Sequence, residues 1–273
     1  MTVVRLGSRG SRLALKQASL AADLLAGTVA IVPITTAGDR DRRSPFGAIG
    51  ERGVFVKELE EALLDRRIDV AVHSAKDMTS TDTAGLAVGA YLLRDDPRDA
   101  LCGADALRPG MRIGTASVRR RAQLLALEPS LSIEPLRGNI DTRLRKRGER
   151  RLDAVVLAAC GLDRLGLEAE IGRRFDPGEL LPEAGQGALA LQVRVGEEEL
   201  VLAADDPETR RRVEAERICV AAVGGGCLAP VAAYHDGVRL TGLVADEDGA
   251  WVERRTGDDA SALGEELARL ASS

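Results

Sequence analysis

The chain has 273 residues, 45% of them hydrophobic and 30% charged, with a formal net charge of -5, which is the composition of two or three folded domains and not of a disordered chain. Only 2% of the residues are aromatic, so stacking platforms for single-stranded bases are excluded, and the negative net charge makes nucleic acid a poor partner overall. No apolar run reaches the ~20 residues needed to cross a bilayer, and Met1 to Leu6 has no signal-like apolar core, so a cytoplasmic protein without membrane contact is expected.

In chain order, Arg5-Leu6-Gly7-Ser8 reads as a strand closing on a tight turn, and Arg12 to Leu25 as the helix that follows. A Ser at such a turn can cap the helix, and the exposed N–H groups with the positive dipole end form an anion site. Arg67-Ile68-Asp69-Val70-Ala71-Val72 then follows a charged amphipathic helix and enters an apolar strand, the pattern of a buried strand in an α/β unit. That strand runs into His73-Ser74-Ala75-Lys76-Asp77. Polar side chains emerging where a parallel strand ends mark the usual ligand crevice of an open α/β sheet. The alternative for Asp77 is a helix cap neutralised by Lys76, and His73, following a buried strand, reads as a structural imidazole.

Both signals return in the same order, as Arg112-Ile113-Gly114-Thr115 before the helical pattern Arg119 to Leu127, and as Arg151-Leu152-Asp153-Ala154-Val155-Val156. The repetition predicts two similar doubly wound domains, 1–95 (with a returning segment at about 188–203) and 96–187, holding a ligand at strand ends that face a shared cleft. Arginines outnumber lysines 34 to 4, so only their position is informative. Ser117-Val118-Arg119-Arg120-Arg121 and Leu136-Arg137-Gly138-Asn139-Ile140-Asp141-Thr142-Arg143 gather planar guanidinium forks near one predicted crevice. Such forks match carboxylates or phosphates. With neither G-x-x-x-x-G-K-[ST] nor G-x-G-x-x-G present, a polycarboxylate fits better than a nucleotide.

Pro182 to Gly187 reads as a crossover between domains. Residues 207–273 form a small α+β unit: a helix from about Asp206 to Val223, the stretch Gly224-Gly225-Gly226-Cys227, strands over Val238 to Leu243 and Ala250 to Arg255, and a last helix. The four cysteines show no C-x-x-C spacing and the two histidines, His73 and His235, are far apart, so no metal is expected and free thiols are favoured over disulfides. Cys102, Cys160 and Cys219 read as structural. Cys227, in a glycine-rich loop, can be a covalent anchor if nearby arginines lower its pKa.

In this order the motifs resemble porphobilinogen deaminases closely: Ser8-Arg9-Gly10-Ser11-Arg12-Leu13-Ala14 with Gln17, then Val72 to Asp77, Gly114 to Arg120, and Leu136 to Asn139 with Thr142-Arg143. Gly161 to Leu167, Leu181 to Ala188, and Gly225-Gly226-Cys227 with Pro230 complete the match. The resemblance spans nearly the whole chain. It implies two type II periplasmic-binding-protein-like domains and a C-terminal domain, 207–273, whose Cys227 holds a dipyrromethane cofactor through a thioether. The implied enzyme, a hydroxymethylbilane synthase, deaminates porphobilinogen and polymerises it on that primer, in tetrapyrrole and heme biosynthesis. By the same resemblance Asp77 is the catalytic acid and the anion that faces the cation left when ammonia departs. Arg9, Ser11, Lys76, Thr115, Ser117, Arg119, Arg120, Arg137, Arg143 and Arg164 hold cofactor and substrate carboxylates, and Asp39 contacts the cofactor. A monomer is expected.

Some positions depart from the family pattern. Ala48 and Arg52 stand where two lysines are usual, Gly224 where an acidic residue is common, and Thr79 where proline is common. Two rival readings remain open here: a noncatalytic two-lobed anion-binding protein, which needs neither Cys227 nor Asp77, and nucleic-acid binding through the basic stretch 112–151, which predicts steep salt dependence.

Overall fold

The computed structural model of the chain describes residues 3–35, 56–78, 83–224 and 230–272. Asp39, Ala48, Arg52, Thr79 and Cys227 lie outside the described residues. The chain divides into one unit of residues 1–95 with 188–213 and a second of 96–187 with 214–273.

The first unit contains β1 (Val4–Arg9), α1 (Arg12–Ala22), β2 (Val29–Ile34), α2 (Lys57–Leu64), β3 (Val70–Ser74) and β4 (Leu86–Tyr91), joined by the returning strand β10 (Leu189–Arg194). Its sheet runs β2-β1-β3-β10-β4, with β1, β2 and β3 parallel and β10 antiparallel to both its neighbours. Helix α1 starts where the Ser11 hydroxyl accepts the Ala14 N–H at 3.3 Å. Ala14, Gln17, Ala18 and Ala21, spaced by three or four residues, form its buried stripe, and Ala18 and Ala21 pack on Leu6, Val70, Val72, Leu191 and Val193. Asp69 clips β3 to β1: its carboxylate accepts the Arg5 N–H and its own N–H donates to the Arg5 carbonyl, both at 2.9 Å. A side chain at Gly7 would collide with Ile68, so this glycine, which lies within β1 and not at the turn expected there, permits close packing.

The second unit repeats this plan. It contains β5 (Asp99–Cys102), β6 (Arg112–Gly114), α3 (Val118–Leu127), β7 (Ser132–Glu134), α4 (Ile140–Glu149), β8 (Ala154–Ala158), α5 (Ala159–Leu165) and β9 (Ile171–Arg174). The sheet order β7-β6-β8-β5-β9 has the same pattern of parallel and antiparallel pairs. Ser117 caps α3 by accepting the Arg120 N–H at 3.4 Å. Asp153 accepts the Arg112 N–H at 2.7 Å and returns its own N–H to the Arg112 carbonyl at 2.9 Å. A Cβ at Gly114 would lie 2.9 Å from Leu152. The two repeated sequence signals are therefore bonded partners, once in each unit.

Helix α6 (Pro207–Val223) matches the expected helix, and the division between units falls within it. The antiparallel strands β11 (Val231–His235), β12 (Leu240–Ala245) and β13 (Val252–Gly257) and helix α7 (Ala260–Ala271) complete the second unit. Leu263 and Leu267 of α7 pack with Cys219, Val231, Leu240 and Val244. Strand β11 was not expected, because its Val-Ala-Ala-Tyr-His run is poor in β-branched residues. The observed class is the expected one, two doubly wound α/β sheets of one topology and a small α+β assembly. Cys102, Cys160 and Cys219 are buried free thiols, and burial pushes Cys102 up to about 11 and Cys219 up to about 12, which suits packing and not nucleophilic work.

Candidate active site

In the first unit, β1 and β3 are paired parallel neighbours that end at Arg9 and Ser74. After β3 the chain makes a single 3-10 turn, Ala75–Asp77, held to the sheet end by the Ala75 N–H, which donates to the Ala188 carbonyl at 3.0 Å. Arg9, Ser11, Lys76 and Asp77, with His73 and Gln17 beside them, line a cavity of about 100 Å3. Four of the expected site residues thus meet at the C-terminal ends of parallel strands, where an open α/β sheet binds ligands. Two of them are cations and one is a carboxylate, a set that can hold an acidic ligand while keeping an anion for positive charge. His73, 5% exposed, is satisfied by Gln192, whose Oε1 lies 3.1 Å from its Nε2. Burial, opposed by that hydrogen bond, holds its pKa down to about 4.

In the second unit, Thr115, Ser117, Arg119 and Arg120 sit at the equivalent turn from β6 into α3. Thr115 Oγ1 accepts the Ser117 N–H at 3.2 Å. Both arginines engage one internal carboxylate, which nothing local in the sequence indicates. Arg119 Nη2 donates to Asp99 Oδ2 at 2.8 Å, and Arg120 Nη2 to Asp99 Oδ1 at 2.6 Å. Arg120 Nε also donates to Oδ1 at 3.0 Å, and Gln186 Nε2 does so at 2.9 Å. Asp99 is fully buried, and Arg119 and Arg120 are 3% and 5% exposed. Burial alone would raise the Asp99 pKa; the two guanidinium groups outweigh it and hold the carboxyl well below the usual range. This trio by itself carries one positive charge in excess, and Arg119 Nε is buried without a hydrogen-bond partner among the described residues. An unpaired buried donor in a cationic cluster fits the acid groups of a dipyrromethane.

The remaining expected residues are placed around the same unit. Arg164, on α5, is buried and donates to the Gly187 carbonyl at 2.7 Å. Arg143 Nε donates to the Gly138 carbonyl at 2.6 Å, and the Arg137 carbonyl accepts Lys146 Nζ at 3.2 Å, so both arginines belong to the half-buried start of α4 and the loop before it. Asp39 and Cys227 lie outside the described residues. Sequence reasoning missed Asp99, Gln186 and Glu216. Glu216, fully buried on α6, accepts the Gly185 and His235 N–H groups, each at 2.8 Å. Asp99 gave no local signal: it lies 20 residues from Arg119 in the chain, and the pairing of β5 with β8 brings it there.

Among the described residues no helix is long and apolar enough to cross a membrane. Comparison with known proteins gives two family matches: residues 4–202 match "Porphobilinogen deaminase, dipyromethane cofactor binding domain" and residues 210–272 match "Porphobilinogen deaminase, C-terminal domain". The chain is 46% identical to the porphobilinogen deaminase of Thermus thermophilus, covering 98% of this chain and 95% of that protein. It is 44% identical to that of Roseiflexus castenholzii (96% and 93%) and 41% identical to that of Bacillus subtilis (99% and 93%). Solved structures give only a slight likeness, such as a nutrient binding protein from Burkholderia cenocepacia bound to methionine, with a TM-score of 0.43 and 13% identity over 76% of this chain and 94% of that one. The chain belongs to the porphobilinogen deaminase family, the transferases that deaminate porphobilinogen and join it into hydroxymethylbilane on a dipyrromethane cofactor.

Proposed function

We infer that Asp77 is the catalytic group of this hydroxymethylbilane synthase, and the observation that carries this reading is its carboxylate, the one among the described lining residues, beside Arg9, Ser11 and Lys76 around a cavity at the ends of β1 and β3. Porphobilinogen carries an aminomethyl arm, an acetate and a propionate on a pyrrole. Arg9 and Lys76 suit the carboxylates and Ser11 can add a hydroxyl contact. Asp77 accepts a hydrogen bond from the pyrrole N–H and faces the positive charge that develops when the carbon–nitrogen bond breaks and its electron pair leaves with the amine. It also assists loss of the proton from the ring carbon that has formed the new carbon–carbon bond, which restores the aromatic pyrrole.

The cofactor would be held by Thr115, Ser117, Arg119, Arg120, Arg137, Arg143 and Arg164, with Asp39 as a further contact, and attached through Cys227. When bound, the dipyrromethane supplies the nucleophilic pyrrole carbon to which substrate units are added. The excess positive charge of the Asp99 cluster and the unpartnered Arg119 Nε support its share in this grip. The domain limits fitting this assignment are 1–95 with 188–203, 96–187, and 207–273 as the cofactor-carrying domain. The protein works as a monomer in the cytoplasm, as the family resemblance implies, and without nucleic acid, which its net charge of -5 and scarce aromatics support.

The decisive experiment incubates purified protein with porphobilinogen and measures ammonia together with a linear tetrapyrrole. Intact mass spectrometry adds the attachment: a mass above the sequence mass, lost in Cys227→Ser, is expected, and an active chain of unmodified mass overturns it. Light scattering at working concentration reads the monomer.

A further inference from the structure

His73 stands on the cavity wall with Asp77, Lys76 and Arg9, and its hydrogen bond belongs to a longer relay. Gln192, on the neighbouring strand β10 and 2% exposed, offers Oε1 to His73 at 3.1 Å and donates Nε2 to Glu60 Oε1 at 2.9 Å. The other oxygen of Glu60, on α2, accepts the Thr83 hydroxyl at 2.9 Å. A carboxylate can only accept. Glu60 therefore fixes which way the Gln192 amide points, and the amide oxygen then requires the proton of the His73 ring to sit on Nε2. The reverse tautomer would set two acceptors face to face in a buried place. Nδ1 is left as a lone-pair acceptor on a neutral ring, and His73 lines the cavity together with Arg9, Lys76 and Asp77, its charged residues among those described.

We propose that His73 Nδ1 is a second acceptor of the site, receiving an N–H of porphobilinogen alongside Asp77, and that Glu60 and Gln192 are positioning residues that hold its tautomer. The inference rests on the reading of this cavity as the porphobilinogen site. The buried contact with Gln192 holds the proton on Nε2 whatever the ring does, so what separates this proposal from a structural role is the use of the Nδ1 lone pair, which the KM values of the Leu and Asn variants read.

The test uses the holoenzyme. With only two histidines in the chain, nitrogen NMR of labelled protein, assigned by the signals lost in His73→Asn, reads the tautomer directly. A protonated Nε2 and bare Nδ1 are expected in the wild type, and a mixture of both tautomers in Glu60→Gln, which keeps the shape but frees the amide to turn. In kinetics, the Asn side chain of His73→Asn places its oxygen near the Nδ1 position and should keep KM close to the wild type. His73→Leu removes the acceptor and should raise KM roughly threefold to tenfold with kcat little changed. Glu60→Gln should raise KM about twofold, as only part of its population presents the acceptor. If His73→Leu does not fold, the Glu60→Gln pair of measurements decides. A wild-type ring protonated on Nδ1, or equal KM values for the Leu and Asn variants, overturns the proposal while leaving turnover itself intact. A wild-type holoenzyme that releases no ammonia from porphobilinogen removes the reading of the cavity, and this inference with it.

Discussion

The turn from β1 into α1 and the turn from β6 into α3 are the same device used in two chemical ways. Each has a serine cap, Ser11 or Ser117, and each follows a strand whose start is clipped by the aspartate just before the neighbouring strand, Asp69 or Asp153. Counting from the caps, Leu13 and Ala14 in the first unit take the places of Arg119 and Arg120 in the second. On the antiparallel strand, Leu189 pairs with Ser74 at the end of β3, as Asp99 pairs with Ala158 at the end of β8. Where the second unit buries a carboxylate between two guanidinium groups, the first has three apolar residues, and Leu13 and Ala14 line the open cavity. The difference teaches that one scaffold makes either a preorganised cationic cluster or a cavity with its own acid, according to three side chains. A buried ion cluster costs desolvation that apolar residues avoid, and at this place in the fold only the second unit has one.

The sharpest way to break this contrast is Asp77→Asn. Turnover should fall by a factor on the order of 10² to 10⁴ while the fold and the added cofactor mass remain, as followed by ammonia release and intact mass; near-normal turnover removes Asp77 from the chemistry. In the other unit, Asp99→Asn leaves two buried guanidinium groups poorly compensated and should destabilise by about 3–5 kcal/mol in urea unfolding. Giving the second unit the residues of the first, Asp99→Leu with Arg119→Leu and Arg120→Ala, should recover most of that loss yet abolish cofactor assembly. A triple variant that still gains the cofactor mass would show that the cluster serves packing only.

Acid separates the two units as well. Burial holds the folded pKa of His73 down to about 4, below the ordinary 6.5, so the neutral ring favours the folded state above pH 6.5. That stability is lost as pH falls from about 6.5 to about 4, by roughly 3 kcal/mol over the interval. Asp99 is also depressed, but its contribution is kept above the ordinary carboxylate range and lost only in stronger acid. Denaturant melts at pH 7 and pH 4.5 should show a drop that His73→Asn largely removes and that variants at Asp99 leave in place. The smallest effects belong to the shared scaffold: Ser11→Ala and Ser117→Ala should each cost about 1 kcal/mol, read as matching shifts of the urea midpoint. Unequal shifts would show that one of the two caps has tertiary help.

Much of the fold was legible because its signals are local. The repeated strand, turn and helix start needs only a handful of adjacent residues, and the glycines and caps that make the turns work are in the same short stretches. Arg9, Ser11, Lys76 and Asp77 each follow a predicted strand of one α/β unit and were grouped by the family resemblance; the parallel pairing of β1 with β3 is what brings them to one cavity. Asp99 was not legible: it touches Arg119 and Arg120 because β5 inserts antiparallel beside β8, a pairing that no neighbouring residue specifies. The Glu60–Gln192–His73 relay was hidden for the same reason, since Gln192 returns to the first sheet after the chain has passed through the second unit.

The amino-acid order by itself determined the two α/β repeats, the family, the serine-capped turns and the residue types gathered there, because helix caps, strand patterns and turn chemistry act over a few residues. Only the tertiary structure decided which carboxylate is buried against arginines, which one is left to a cavity, and where the imidazole proton must sit. Those outcomes depend on desolvation and hydrogen-bond geometry between segments far apart in the chain, and these exist only once the sheets have closed.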